Sequence, residues 1–201
     1  MKFSSFALAA LSLGTAFAAP AAPQVDSRDV VVVQQATQQV TTVETTVVQK
    51  ITEITTVVST TQDVDVLRIA LKDLSVQINI LLGDLNPVLS LQLPLITAEL
   101  LNLPGLLQHV LLIVQKVVNV VGVITGQLTQ DLVKILQPEL QLVLGAIKPV
   151  QTLVVPFGHS VAAQSGTQTI EITQILSITA ELDGLLSGLL ATLLGIVGAL
   201  L

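Results

Sequence analysis

The chain has 201 residues, of which 51% are hydrophobic, 11% charged and 2% aromatic, with no cysteine and a formal net charge of −6. An acidic balance with no basic run and few base-stacking side chains excludes an ordinary nucleic-acid-binding protein. The lack of cysteine rules out disulfides and thiolate metal sites. The mean hydropathy of +0.82 and a charged fraction far below the usual ~25% leave too few charges to cover the surface. Some apolar area must stay exposed or meet a partner.

Residues 1–18 read as a signal peptide. Lys2 supplies the positive n-region, Phe6 to Leu13 the apolar h-region, and Ala16-Phe17-Ala18 the small-x-small cleavage pattern. The expected mature protein starts at Ala19, or at Asp29 after trimming at Arg28, and residues 19–29 are expected to be flexible. It is therefore read as secreted or extracellular, with the cell wall as one destination. No Asn is followed by the hydroxyl residue of an N-glycosylation sequon.

Residues 30–201 are expected to form one helical domain. The block 30–61 is rich in Val, Thr and Gln, a β-prone composition. Its apolar residues nevertheless recur at helical spacing, through Val40, Val43, Val47, Ile51, Ile54 and Val58. The spacing predicts a helix whose polar face is threonine and glutamine. The Thr-Thr-Val repeats leave O-glycosylation of 37–61 open.

Over 63–85, Val64, Leu67, Leu71, Leu74, Ile78, Leu81 and Leu85 follow a 3-4 heptad alternation, with Asp63 and Asp65 at the start. This predicts an amphipathic packing helix. Gly83 is expected to end it, with Asn86-Pro87 opening the next.

From 87 to 201 the chain is highly apolar, and Pro94, Pro104, Pro138, Pro149 and Pro156 are expected to divide it. Gly105 to Gln137 reads as the longest helix, its polar positions confined to one stripe through Gln108, Gln115, Asn119, Gly122 and Gly126. Residues 149–167 read as a loop. A last helix begins near Thr167 or Thr169 and carries Ile175, Ile178, Leu182, Leu185, Leu189, Leu193, Ile196 and Leu200 at steps of 3 or 4. After Asp183 no charge follows. Residues 184–201 would extend ~27 Å as a helix, just short of a bilayer core. The tail then reads as a packing helix or, alternatively, a cleaved GPI signal with Ser165-Gly166 as attachment site.

Catalytic raw material is scarce. His109 sits at the edge of the polar stripe, where a surface or interhelical hydrogen bond is expected. His159 follows Gly158, and a Ser adjacent to a His in sequence does not make a triad. No zinc, EF-hand, phosphate-loop or nucleophile-elbow pattern occurs. The chain is read as a non-enzyme with no cofactor.

A signal peptide, no cysteine, an early helix of the type Asp63-Val64-Asp65-Val66-Leu67 through Ile78, and later Leu/Val helices resemble fungal hydrophobic surface binding proteins and the related cell-wall galactomannoproteins. The resemblance is architectural and carries no site residue. It implies an all-helical secreted domain that adsorbs to hydrophobic surfaces or holds fatty-acid-like ligands.

The fold expected is all-α, an elongated or antiparallel bundle of five to six amphipathic helices. The expected function is binding of lipid-like ligands or adsorption to a hydrophobic surface. The alternative is a structural cell-wall or matrix protein that self-associates as a homo-oligomer, with or without a GPI anchor. The candidate apolar contact surface comprises Leu111, Val114, Val118, Val121, Leu185, Leu189, Leu193 and Ile196.

Overall fold

The computed structural model describes residues 27–93, 95, 97–164 and 169–198. The signal peptide, its cleavage site after Ala18, Pro94, the candidate GPI attachment site at Ser165-Gly166 and Leu200 lie outside the described residues. Every regular element among the described residues is helical: α1 (Ser27–Thr60), α2 (Val64–Leu89), α3 (Thr97–Gln127), α4 (Gln130–Ile135), α5 (Gln137–Pro149), a π-helical turn (Val150–Val154), α6 (Val155–Gln164) and α7 (Ile170–Gly198). Because 137–164 runs on without a break, these amount to six separate helices.

Helix α1 forms from a β-prone sequence because its period overrides its composition. Val40, Val43, Val47, Ile54 and Val58 are all buried on one face. Its threonines are accommodated by bonding backward. Thr41, Thr45, Thr52 and Thr56 each donate Oγ1 to the carbonyl four residues earlier, at 2.7–3.0 Å. At the end of the helix, Thr61 and Gln62 both donate their N–H to the Val57 carbonyl, and Gln62 takes a left-handed φ of 51°. Asp63 then caps α2, accepting from the Asp65 and Val66 amides at 3.0 and 3.2 Å. The start expected to be flexible through Asp29 is already helical from Ser27.

The heptad residues Leu67, Leu71, Leu74, Ile78, Leu81 and Leu85 of α2 are all buried. Gly83 does not end this helix, nor does Asn86-Pro87 open another. The helix continues to Leu89, adding buried Val88 to the seam, and Ser90 closes it on the Asn86 carbonyl. Pro104 likewise lies inside α3, where it is buried among Leu103, Leu106 and Leu107. The helix expected over 105–137 instead begins at Thr97 and stops at Gln127. Thr129 caps α4 through the Leu132 amide.

The loop expected over 149–167 is helical as far as Gln164. Pro149 and Pro156 flank the π-helical turn, and Thr152 Oγ1 donates to the Lys148 and Pro149 carbonyls at 3.2 and 3.4 Å. A π-helical turn is a local widening that accommodates such an interruption inside a continuous helix. Thr169 opens α7 through the Ile172 amide at 3.4 Å, as the sequence leads one to expect.

Consecutive long helices run antiparallel. Lys50 of α1 meets Asp73 of α2 at 2.8 Å, while Val32 and Gln39 lie against Gly83 and Pro87. Helices α1, α3 and α7 run the same way, since Glu44 pairs with His109 and Gln115 with Glu181 while residue numbers rise together. Helices α2 and α5–α6 run oppositely and are joined where Glu139 faces Arg68 and Lys72. The five long segments thus form two layers, α1–α3–α7 over α2 and α5–α6, with α1 and α7 flanking α3.

Candidate apolar contact surface

Helix α3 lies between two neighbours of its own layer and is buried on most of its circumference, from Leu103 through Ile124. Of the candidate contact residues, Leu111, Val114 and Val121 on α3 and Leu189 and Leu193 on α7 are core residues, each at most 2% exposed. Val118, Leu185 and Ile196 are half-buried and pack against the same core. The structure brings four of the eight together: Val118, Val121, Leu185 and Leu189 line an open groove between α3 and α7, joined by Gly122, Gly184, Gly188 and Thr192. Leu111 and Val114 do not reach it.

The groove is apolar because its polar flanks are few. Gln115 Nε2 donates to Glu181 Oε1 at 2.9 Å at one end, and beyond Asp183 neither wall carries a charge. Two other grooves are polar by contrast. That between α1 and α2 holds Gln35, Gln39 and Asp84, whose carboxyl is pushed above its ordinary range by burial. That between α1 and α3 holds Gln34, Gln38 and Asn102.

An exposed apolar surface follows α7, as another follows α2 through Ile69, Val76 and Ile80. Leu176, Leu194 and the terminal Ile170 are exposed. Up to Glu181 the outward positions between them include Thr173, Gln174, Ser177, Ala180 and Glu181, and beyond Asp183 they are Gly184, Ser187, Gly188, Ala191 and Thr192. Only 28% of the most apolar window of α7 is buried, against 50% for α3. One-dimensional patterning marks both helices as having more apolar face than a single neighbour can cover. Tertiary placement separates them, because α3 has α1 on its other flank. Helix α1, at the far end of the layer, faces outward with Gln38, Thr41, Thr45, Gln49 and Thr52. The bundle is therefore amphiphilic as a body, with hydroxyl and amide groups along one edge and, along the other, a helix that is free of charge beyond Asp183.

Length and composition alone would let Thr97–Gln127, Gln137–Ala163 and Ile170–Ile196 cross a membrane. His109 makes an interhelical contact, its Nδ1 lying 2.6 Å from Glu44 Oε2. His159 is exposed on α6. Among the described residues no cluster of three or more His, Asp or Glu side chains is placed to hold a metal ion.

Sequence reasoning missed two features. Glu139 is buried, with Oε1 3.6 Å from Arg68 Nε and 3.7 Å from Lys72 Nζ, and its Oε2 has no hydrogen-bond partner. Gly158 is the point of closest approach of α6 to α7, where a Cβ would collide with Thr179. Neither has a periodic signal, since each depends on a residue far away in the chain. No family model matches the chain, and neither a curated protein nor a solved structure matches it.

Proposed function

We propose that this is a secreted, non-enzymatic amphiphile that meets lipid or another hydrophobic surface along α7, of the kind the fungal hydrophobic surface binding proteins exemplify. The observation that carries the proposal is the exposed outer face of α7 beyond Asp183, where no charge occurs, on a helix whose most apolar window is only 28% buried. Apolar area left in water favours a partner by about 25 cal/mol per Å². Contact along the surface fits better than a transmembrane span, because Glu181 and Asp183 would lie near the midplane of a membrane-crossing α7. A packing role for the tail, rather than removal as a GPI signal, is supported by Leu189 and Leu193, which it contributes to the core.

Self-association in a cell wall or matrix is the second reading, favoured by one observation. A Cβ at Gly184, Gly188 or Gly195 would meet nothing within 4 Å, so a helix of a second copy has room to approach. Size-exclusion chromatography of the secreted protein with and without detergent, joined to mass spectrometry of co-purifying lipid, separates the two. Surface and lipid binding gives a discrete particle carrying lipid. Heterogeneous assemblies that detergent disperses, without lipid, would place the structural role first.

A further inference from the structure

Among the described residues, two glutamine side chains tie α7 to the rest of the bundle within two turns. Gln115 of α3 donates to Glu181 Oε1, and Gln151 on the π-helical turn donates to Asp183 Oδ1 at 3.1 Å and Ser187 Oγ at 2.9 Å. Past Ser187, among the described residues, the side-chain hydrogen bond present is that of Thr192 to the Gly188 carbonyl, within the helix itself. The chain beyond this clamp is held to the bundle by two fully buried side chains, Leu189 and Leu193, with Leu190 and Ile196 half-buried.

That same stretch contains Gly188, Gly195 and Gly198, with Gly184 inside the clamp. Glycine weakens a helix interior and is normally retained there where a neighbour leaves no space for a Cβ. Here no neighbour does, since a Cβ at any of the four would meet nothing within 4 Å. Gly158, pressed against Thr179, shows the other case in the same protein. The α7 glycines are not required by packing, and their remaining physical effect is to lower the local cost of bending and opening.

We propose that Gln115 and Gln151 pin α7 at its waist and that Gly188–Gly198 is an arm that lifts from α3 and α5 and enters lipid. This deepens the lipid reading given above and rests on it for the arm's destination, though not for its motion. Lifting would turn Leu189 and Leu193 outward, so the apolar face presented to lipid would exceed the one seen in the closed bundle.

The absence of native cysteine makes single-thiol probes clean. Leu193→Cys and Leu182→Cys place thiols at equally buried positions beyond and within the pinned part of α7. In buffer, native-state alkylation of Leu193→Cys is expected to be at least tenfold faster than that of Leu182→Cys. Adding Gly188→Ala and Gly195→Ala should slow the first several-fold and leave the second unchanged. Equal rates at the two sites, or no effect of the alanines, would overturn the arm. An environment-sensitive dye on Ala191→Cys, with Thr45→Cys as control, should shift to the blue on adding phosphatidylcholine vesicles at position 191 alone. Fast alkylation without that shift would keep the motion and overturn lipid as its destination.

Discussion

Gly158→Ala tests the closest helix contact in the fold. The new methyl would lie 3.1 Å from Thr179 Cγ2 and 3.3 Å from its Cβ, and closer still to the hydroxyl. Thr179 is 1% exposed and cannot swing into solvent. Overpacking of this kind costs about 1–3 kcal/mol, while replacing a helical glycine by alanine returns about 1 kcal/mol. Gly145→Ala, in the same continuous helix with nothing within 4 Å of the added carbon, receives the propensity gain without the clash. The two variants should differ by about 1–3 kcal/mol, or roughly 2–12 °C in melting temperature for a domain of this size. Thermal unfolding followed by circular dichroism reads the difference directly. Thr179→Ala removes the two closest obstructing atoms, Oγ1 and Cγ2, and leaves Cβ. The hydroxyl it deletes is buried without a partner, so the double variant should recover most of the way to Gly145→Ala. If Gly158→Ala melts together with Gly145→Ala, the approach of α6 to α7 is wrong.

Three further outcomes can be checked by urea or thermal unfolding. Replacing both Arg68 and Lys72 by Met should cost about 3–5 kcal/mol, because it strands the buried Glu139 carboxylate. Glu139→Gln should change stability by less than about 1 kcal/mol, because it leaves two cations that are 41% and 57% exposed. Burial raises the Asp84 pKa, so the folded state holds that proton more tightly than the unfolded chain, and stability is lost as pH rises from the unfolded value through the folded one. Asp84→Asn should therefore raise the melting temperature at pH 7 and give no such gain at acid pH below both values; equal gains at both would contradict this. Gln62→Gly should stabilise by about 1 kcal/mol, since Gln62 holds a left-handed φ of 51° at the α1–α2 turn.

Periodicity was the legible part of this fold. The seam of α2 and most of that of α1 can be read residue by residue, because burial on one side of a helix imposes a 3-4 step whatever the local propensity. On α7, Ile175, Leu182, Leu189 and Leu193 are buried as read, but Leu186 is buried in place of the half-buried Leu185. Proline was a divided guide: Pro138 opens α5 just after the turn at Leu136, as expected, but other prolines mislead. Pro87, Pro104, Pro149 and Pro156 all lie in helical segments, where packing or a π-helical turn offsets a local cost of about 3 kcal/mol. The break at Leu128-Thr129 contains no proline, only a Thr cap followed by Asp131. For the contact surface, the pattern correctly marked α3 and α7 as unusually apolar, but a single helix cannot reveal how many neighbours it will have. Leu111, Leu189 and Leu193 are consequently poor sites for introducing charge, which would unfold the core. Leu194 is 58% exposed and suits the purpose.

The most direct test is adsorption to a methyl-terminated surface, followed by quartz-crystal microbalance, for the wild type, Leu194→Asp on α7 and Thr45→Asp on α1. Both substituted side chains lie on outer faces, so folding should be preserved and circular dichroism can verify it. A charge pressed into an apolar contact must be desolvated without a partner. Leu194→Asp should therefore lose at least tenfold in adsorption affinity, while Thr45→Asp adsorbs like the wild type. Equal adsorption by all three proteins, or a loss confined to Thr45→Asp, would contradict contact through α7.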